Sequence, residues 1–286
     1  VAEIQRIGVV GAGLMGSGIA EVHARAGLDV VVNEVSQPAL DSGRARIEKS
    51  LQRATKSGKI SADDAEAALG RLTFTTDVDA FADRDLVVEA ILENEQAKTD
   101  LFGTLDKVVT SGDAILASNT SSIPIMKIGM ATQRPESVVG VHFFNPVPVL
   151  PLVELVPSVR TSDDVVRRAE EHVTGALGKT AIHCQDRAGF IVNALLVPYL
   201  LSAIRMYEAG YASAEDIDTG MEKGTAHPMG PLRLADMVGL DTVKFIADSM
   251  YDEFKEPTYA APPLLMRMVD AGLLGKKSGR GFYDYS

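Results

Sequence analysis

The sequence predicts an α/β chain: a mostly parallel sheet with an inserted helical pair, followed by an all-α C-terminal domain. Three observations predict it. Over the first ~180 residues, short β-branched runs alternate with helical stretches, the pattern of a helix-covered parallel sheet. The glycine hexapeptide Gly11-Ala12-Gly13-Leu14-Met15-Gly16 joins the first strand to the first helix. From Phe190 onward strand pattern is scarce, and glycines and prolines separate helical segments.

The first strand is Ile7-Gly8-Val9-Val10, and a helical stretch runs from Ser17 to Ala26. Strand, glycine turn and helix in that order mark a dinucleotide site and a Rossmann-like half. Gly11 permits the tight turn, Gly13 lets the backbone approach a pyrophosphate, and Gly16 lets helix and strand pack closely. Phosphates would meet the free N–H groups and positive end of the helix. The second strand, Asp29-Val30-Val31-Val32-Asn33-Glu34, ends in an acid. A carboxylate there accepts from ribose hydroxyls and repels a 2′-phosphate, so Glu34 points to NAD rather than NADP. The expected cofactor set is therefore Gly11, Gly13, Leu14, Met15, Gly16 and Glu34.

A polar helical segment follows from Gln37 to Leu69, broken at Ser57-Gly58-Lys59-Ile60-Ser61. Ser61 reads as the cap of its second piece. Strands are expected at Leu72–Thr75 and Leu86–Ala90, a helix at Asn94–Val109, and strands at Ala114–Ser118 and Val138–Phe143. Leu152–Val156 and Thr180–His183 read as late additions to the same sheet. A boundary falls at Asp186-Arg187-Ala188-Gly189, giving a first domain of residues 1–185 and a second of 186–286. In the second, Ile191–Glu208 is apolar around much of its circumference and reads as a buried helix. Asp216–Met221, Leu232–Met237, Asp241–Glu253 and Pro263–Ala271 read as further helices. A helical domain this small with so apolar a helix completes its burial against a partner, which points to a homodimer.

Composition narrows the function. The chain has 286 residues, 46% of them hydrophobic, and a formal net charge of −11. That charge disfavours a nucleic-acid surface, so a polyanionic ligand needs a local basic patch. No apolar run approaches the ~20 residues of a membrane span, and no stretch reads as a signal peptide. The single cysteine, Cys184, precludes an internal disulfide and fits a reducing cytosol. It lies in an apolar run and reads as a buried thiol. A cytoplasmic protein is the expectation.

Two segments carry candidate chemistry. Ser118-Asn119-Thr120-Ser121-Ser122 follows a strand end, where open α/β sheets bind ligands. Its hydroxyls and amide suit a carbonyl or hydroxyl, or simply cap a helix near Pro124; both readings stand. His142 also closes a strand, before a proline-braced loop, and Glu154 lies in the strand after it. A buried Glu beside a His holds one tautomer and stabilises the imidazolium. Such a pair removes a hydroxyl proton while the adjacent carbon gives up hydride, and returns it in reverse. His23 and His172 read as structural, and His183 and His227 lack a comparable partner. No H-e-x-x-H or C-x-x-C metal pattern occurs, and the G-x-S-x-G elbow of hydrolases is missing.

The motifs GAGLMGSGIA, VVEAILEN, SNTSS, HFFNPVPVLPLVELV, DRAGFIVNALLVPY, GTAHPMGPLRLADMVGLD and GKKSGRGFYDY span the chain. In these the sequence resembles the short-form L-3-hydroxyacyl-CoA dehydrogenases, and within them the 3-hydroxybutyryl-CoA dehydrogenases. The resemblance implies reversible, NAD-dependent oxidation of an (S)-3-hydroxyacyl-CoA to the 3-oxoacyl-CoA. It implies that His142 is the general acid/base, Glu154 its partner, and Ser121 a hydrogen-bond donor to the 3-oxygen. Asn193 would orient the substrate. Glu93, Lys98, Ser121 and Asn145 would contact NAD. Ser50, Arg53, Lys56 and Lys59 would clamp coenzyme A from the inserted helical pair. The last three also form the densest basic cluster outside the C-terminus; complementing a helix dipole is the competing reading. A dehydrogenase of a free hydroxy acid or sugar acid on the same fold, and a non-catalytic NAD-binding protein, remain alternatives. The basic tail ends in Gly-Phe-Tyr-Asp-Tyr, which reads as a packed terminus.

Overall fold

The computed structural model describes residues 3–286, which form two compact units, one ending at Arg187 and one beginning at Ala188. The first unit runs β1 (Arg6–Val10), α1 (Leu14–Arg25), β2 (Asp29–Asn33), α2 (Gln37–Lys56), α3 (Ala62–Gly70), β3 (Leu72–Thr75), β4 (Leu86–Glu89), α4 (Glu95–Val108), β5 (Ile115–Ser118), α5 (Ile125–Gly129), β6 (Val138–Phe143), β7 (Leu152–Pro157), α6 (Asp163–Glu171) and β8 (Thr180–His183). The strands form one sheet in the order β3-β2-β1-β4-β5-β6-β7-β8. β1 through β6 are parallel, β7 is antiparallel to β6, and β8 is parallel to β7. Every residue of β4, β5 and β6 is buried, as expected where helices cover both faces. Because β1 pairs with both β2 and β4, the chain reverses direction across the sheet there. The C-terminal ends of those strands open the crevice where such sheets bind ligands.

Local chemistry sets the element ends. α1 begins at Leu14, three residues earlier than the periodicity of the sequence indicates, because extended Gly13 serves as its N-cap. Ser61 caps α3 by accepting the Asp64 N–H at 3.0 Å. α2 buries only Leu40, Gly43, Ile47 and Leu51, a single stripe at helical spacing. Gly43 lies against the glycine turn: a Cβ there would come within 2.4 Å of Ala12 Cβ. The inserted pair thus packs directly beside the dinucleotide turn. β2 stops at Asn33, so Glu34 opens the following turn instead of ending the strand.

The second unit comprises α7 (Val192–Glu208), α8 (Ala214–Gly224), α9 (Pro231–Val238), α10 (Leu240–Phe254) and α11 (Pro263–Asp270). Leu200, Leu201, Ile204, Leu232, Leu240, Ala247, Met250 and Leu265 fill its core. The all-round burial expected of α7 holds on one face only; Leu195 is 74% exposed and Met206 46%. Two buried carboxylates hold the tail. Asp236 accepts the N–H groups of Phe282 and Tyr283 at 3.0 and 2.9 Å, and Asp218 accepts the Tyr283 hydroxyl at 2.7 Å. Among the described residues no helix is long and apolar enough to cross a membrane.

Candidate active site

The glycine turn is built around what a side chain would obstruct. Gly11 has φ +95°, and a Cβ there would lie 2.6 Å from the Ala90 carbonyl oxygen. A Cβ on Gly16 would meet the Gly11 carbonyl oxygen at 1.8 Å. Among the described residues nothing would lie within 4 Å of a Cβ on Gly13, so the turn is open on that side. Leu14 is 60% exposed and Met15 partly buried. The N-terminus of α1 has no side-chain cap and no acid in its first turn. Its N–H groups and dipole are therefore available to an anion. Glu34 accepts the Ala12 N–H at 2.9 Å and the Val35 N–H at 2.9 Å, so from the turn after β2 it braces the glycine turn. An open cradle, an uncapped helix and an acid at the second strand fit NAD.

Past β4 lies a carboxylate–ammonium–carboxylate row. Lys98 on α4 is only 1% exposed, and its ammonium sits 2.5 Å from Glu89 Oε1 and 3.1 Å from Glu93 Oε2. Glu89, fully buried, also accepts the Ile91 N–H at 2.7 Å and the Ser118 hydroxyl at 2.6 Å. Glu93 Oε1 gathers the serine loop: it accepts the Thr120 hydroxyl, the Ser121 N–H at 2.9 Å, and the Ser122 N–H and hydroxyl at 3.2 and 3.1 Å. Burial pushes the Glu93 carboxyl up, but the Lys98 charge and the bonds from Thr120 and Ser121 outweigh it and hold the group below the ordinary carboxylate range. The Ser121 hydroxyl itself is weakly held, at 3.4 Å from Glu93.

His142 and Glu154 are direct partners in the antiparallel β6–β7 ladder, so their side chains share one face. His142 Nδ1 lies 2.7 Å from Glu154 Oε2, with the two residues 6% and 0% exposed. An ionised carboxylate can only accept, so Nδ1 carries the proton in this bond and the second ring nitrogen is Nε2. Phe144 sets an edge against the imidazole at 4.7 Å.

The first unit therefore gathers the turn residues, Glu34, Glu93, Lys98, Ser121 and the His142–Glu154 pair along the C-terminal ends of its parallel strands. Asn145 is exposed in the loop after β6. Ser50 is half-buried on α2, and Arg53, Lys56 and Lys59 are exposed at its C-terminal end and in the turn that follows. Asn193 lies in the first turn of α7, in the second unit. Three contributors went unread in the sequence, and a fourth, Asn119, was read for a ligand or a cap and not for its partner in the sheet. Arg46 donates to the Ala12 carbonyl at 2.7 Å, and nothing in its surroundings marks it. Asp186 caps α5 through the Ile125 and Met126 N–H groups at 2.7 and 2.8 Å. Glu89 did carry a signal, as an acid in an otherwise apolar strand. Asn119 receives the Phe143 N–H at 2.8 Å. A cavity of about 570 Å³ lies at the other end of the strands, near Gln5, Leu28 and His172, and contains none of these residues. Among the described residues no group of three or more His, Cys, Asp or Glu could hold a metal ion.

A parallel sheet whose strand order reverses at β1–β4, with an open glycine turn after β1 and a histidine on β6 held by a buried carboxylate, places the chain among the dinucleotide-dependent dehydrogenases. Residues 6–187 match the model of the 3-hydroxyacyl-CoA dehydrogenase NAD-binding domain, and residues 189–285 match that of the 3-hydroxyacyl-CoA dehydrogenase C-terminal domain. The chain belongs to the 3-hydroxyacyl-CoA dehydrogenase family; it is an oxidoreductase and its cofactor is NAD. A 3-hydroxybutyryl-CoA dehydrogenase of Mycobacterium tuberculosis is 61% identical to it over 282 residues, 99% of either chain. The crystal structure of M. tuberculosis FadB2 matches with a TM-score of 0.99 at 61% identity, covering 100% of both chains. That of the (S)-3-hydroxybutyryl-CoA dehydrogenase of Ralstonia eutropha matches with a TM-score of 0.94 at 43% identity, over 99% of this chain and 100% of the other.

Proposed function

We propose that this chain interconverts (S)-3-hydroxybutyryl-CoA and acetoacetyl-CoA, with His142 and Glu154 as its acid–base pair. The observation that carries the reading is the cross-strand His142–Glu154 bond, 2.7 Å long and buried. NAD, when bound, accepts the hydride from C3 and in the reverse direction supplies it. His142 Nε2 takes the 3-hydroxyl proton as the carbonyl forms, and Glu154 stabilises the resulting imidazolium. In reduction the same nitrogen returns the proton to the carbonyl oxygen. The Ser121 hydroxyl donates to that oxygen, and Asn193 orients the substrate. Gly11, Gly13, Leu14, Met15, Gly16 and Glu34 hold the adenosine and pyrophosphate, and Glu93 and Asn145 the rest of the cofactor. Lys98, enclosed by Glu89 and Glu93, contributes through the position of Glu93.

Ser50, Arg53, Lys56 and Lys59 take the phosphates of coenzyme A, which a chain of net charge −11 must attract locally. Residues 1–185 form the NAD domain and 186–286 the substrate and dimerisation domain of a cytoplasmic homodimer. The test is NADH oxidation followed by absorbance with acetoacetyl-CoA and with free acetoacetate. Turnover with the thioester and little with the free acid supports the reading. Equal kcat/KM for both removes coenzyme A from it.

A further inference from the structure

We propose that Asn119 is a positioning residue that locks the serine loop to the strand bearing His142. The inference rests on the reading that Ser121 and His142 act on one substrate oxygen. The β5–β6 ladder ends at the Ser118–Gly140 pair, yet β6 continues to Phe143. Beyond the ladder the buried Phe143 N–H meets the Asn119 side-chain oxygen at 2.8 Å instead of a strand carbonyl. On its other side the Asn119 backbone N–H donates to the Glu89 carbonyl at 2.9 Å. One residue thus ties β4, β5 and β6 together at the edge where ligands enter.

Its neighbours give the tie its meaning. Ser121 is two residues beyond Asn119, and His142 immediately precedes Phe143. The other tethers of the loop lead elsewhere: Glu93 holds it to the segment before α4, and Asp186 caps α5 behind it. Among the described residues, the Asn119–Phe143 bond is the one hydrogen bond joining residues 119–122 to β6. An amide oxygen two bonds past Cβ has the reach; the flanking Ser118 and Thr120 side chains are committed to Glu89 and Glu93. Losing the bond leaves a buried N–H without an acceptor, so the end of β6 shifts to find one. A shift of about 1 Å between a proton relay and a positioning donor lowers turnover by up to about 100-fold.

The test compares Asn119→Ala, which removes the acceptor, with Asn119→Asp, which keeps one for the same N–H. Asn119→Ala is expected to lower kcat per folded site about 10- to 100-fold, with KM for NADH within about threefold and the folded fraction at the assay temperature unchanged; Asn119→Asp restores most of kcat. A merely structural role lowers the midpoint and the folded fraction but not kcat per folded site. Should Asn119→Ala not fold, Asn119→Ser, too short to reach Phe143, replaces it with the same expectation. kcat within about twofold of the parent in the variant lacking the acceptor overturns the proposal, as does Asn119→Asp as slow as Asn119→Ala. His142→Ala is assayed alongside. Retained turnover there sinks the underlying mechanism, whereas its loss with a fully active Asn119→Ala sinks this inference alone.

Discussion

Two buried histidines, His23 and His172, make the first unit acid-sensitive. His23 on α1 is fully buried, with Nδ1 donating to the Ile19 carbonyl at 2.7 Å. His172, in the single π-helical turn after α6, stacks on it at a centroid distance of 5.1 Å. Among the described residues neither Nε2 has a partner and neither ring has a counter-ion. Burial, opposed by the Ile19 bond, lowers His23 from 6.5 to about 4. Burial, reinforced by His23, lowers His172 to about 3. Because both folded values lie below the unfolded one, the unfolded chain takes up protons first as pH falls. Stability is full above about pH 7 and drains away through the window from 6.5 down to the folded values. For His23 alone the loss is about 2 kcal/mol at pH 5 and about 3 kcal/mol in total. His172 adds a comparable amount, against a typical total of about 5–15 kcal/mol. Glu21 and Asp236 work in the opposite sense. Burial holds both carboxyls above their ordinary values, so they favour the folded state as pH falls and offset part of the loss. The discriminating experiment is therefore a difference: urea unfolding of the parent and of His172→Phe at pH 7.5 and pH 5.0. Phenylalanine keeps the stacked ring and removes the titration. The parent should lose at least ~1 kcal/mol more than the variant between the two pH values. Equal losses would refute the argument.

Three further outcomes follow from the same geometry. Lys98→Met leaves the buried Glu89 carboxylate without its cation and should destabilise by ~3–5 kcal/mol in chemical denaturation; a loss under ~1 kcal/mol would show that the ion pair contributes little. Gly281→Ala drives a Cβ to within 1.9 Å of Asp236 Oδ1. It should release the tail at a loss of ~2–4 kcal/mol, and an unchanged thermal midpoint would mean that the clasp is dispensable. Glu34→Ala takes the acceptor from the Ala12 N–H and the repulsion from a 2′-phosphate. The NADH-over-NADPH ratio of kcat/KM should fall about tenfold or more, and a constant ratio would remove Glu34 from cofactor choice.

Much of this was legible because the strongest signals are local. The glycine turn, the Ser61 cap and the apolar runs of β4, β5 and β6 depend on neighbours in the chain, and they appear where the pattern indicates. His142 and Glu154 were readable as a pair because each ends up on a short strand either side of one loop. Their antiparallel register was not, since two strands read alike whichever way they run. α5 was read only as a helix near Pro124 with no bounds, because five residues are too few for a helical period to emerge. Lys98 illustrates a deeper limit. The family resemblance implied a ligand contact for it, yet its ammonium is held between Glu89 and Glu93, and the bond to Glu89 is an interaction between strand and helix that no linear motif encodes. Asn119 is similar: an amide in a serine-rich loop suggests a ligand or a cap, and only the folded sheet reveals Phe143 as its partner. For α7, periodicity reports how much apolar surface exists, not what covers it, and Leu195 and Met206 of that helix are exposed.

The most direct test of the central assignment is single-site: His142→Gln, assayed with acetoacetyl-CoA and NADH, with NADH binding followed by fluorescence. The imidazole relay predicts turnover reduced ~10²–10⁴-fold while cofactor affinity stays within about threefold of the parent. Near-parental turnover in a variant that still binds NADH would contradict it.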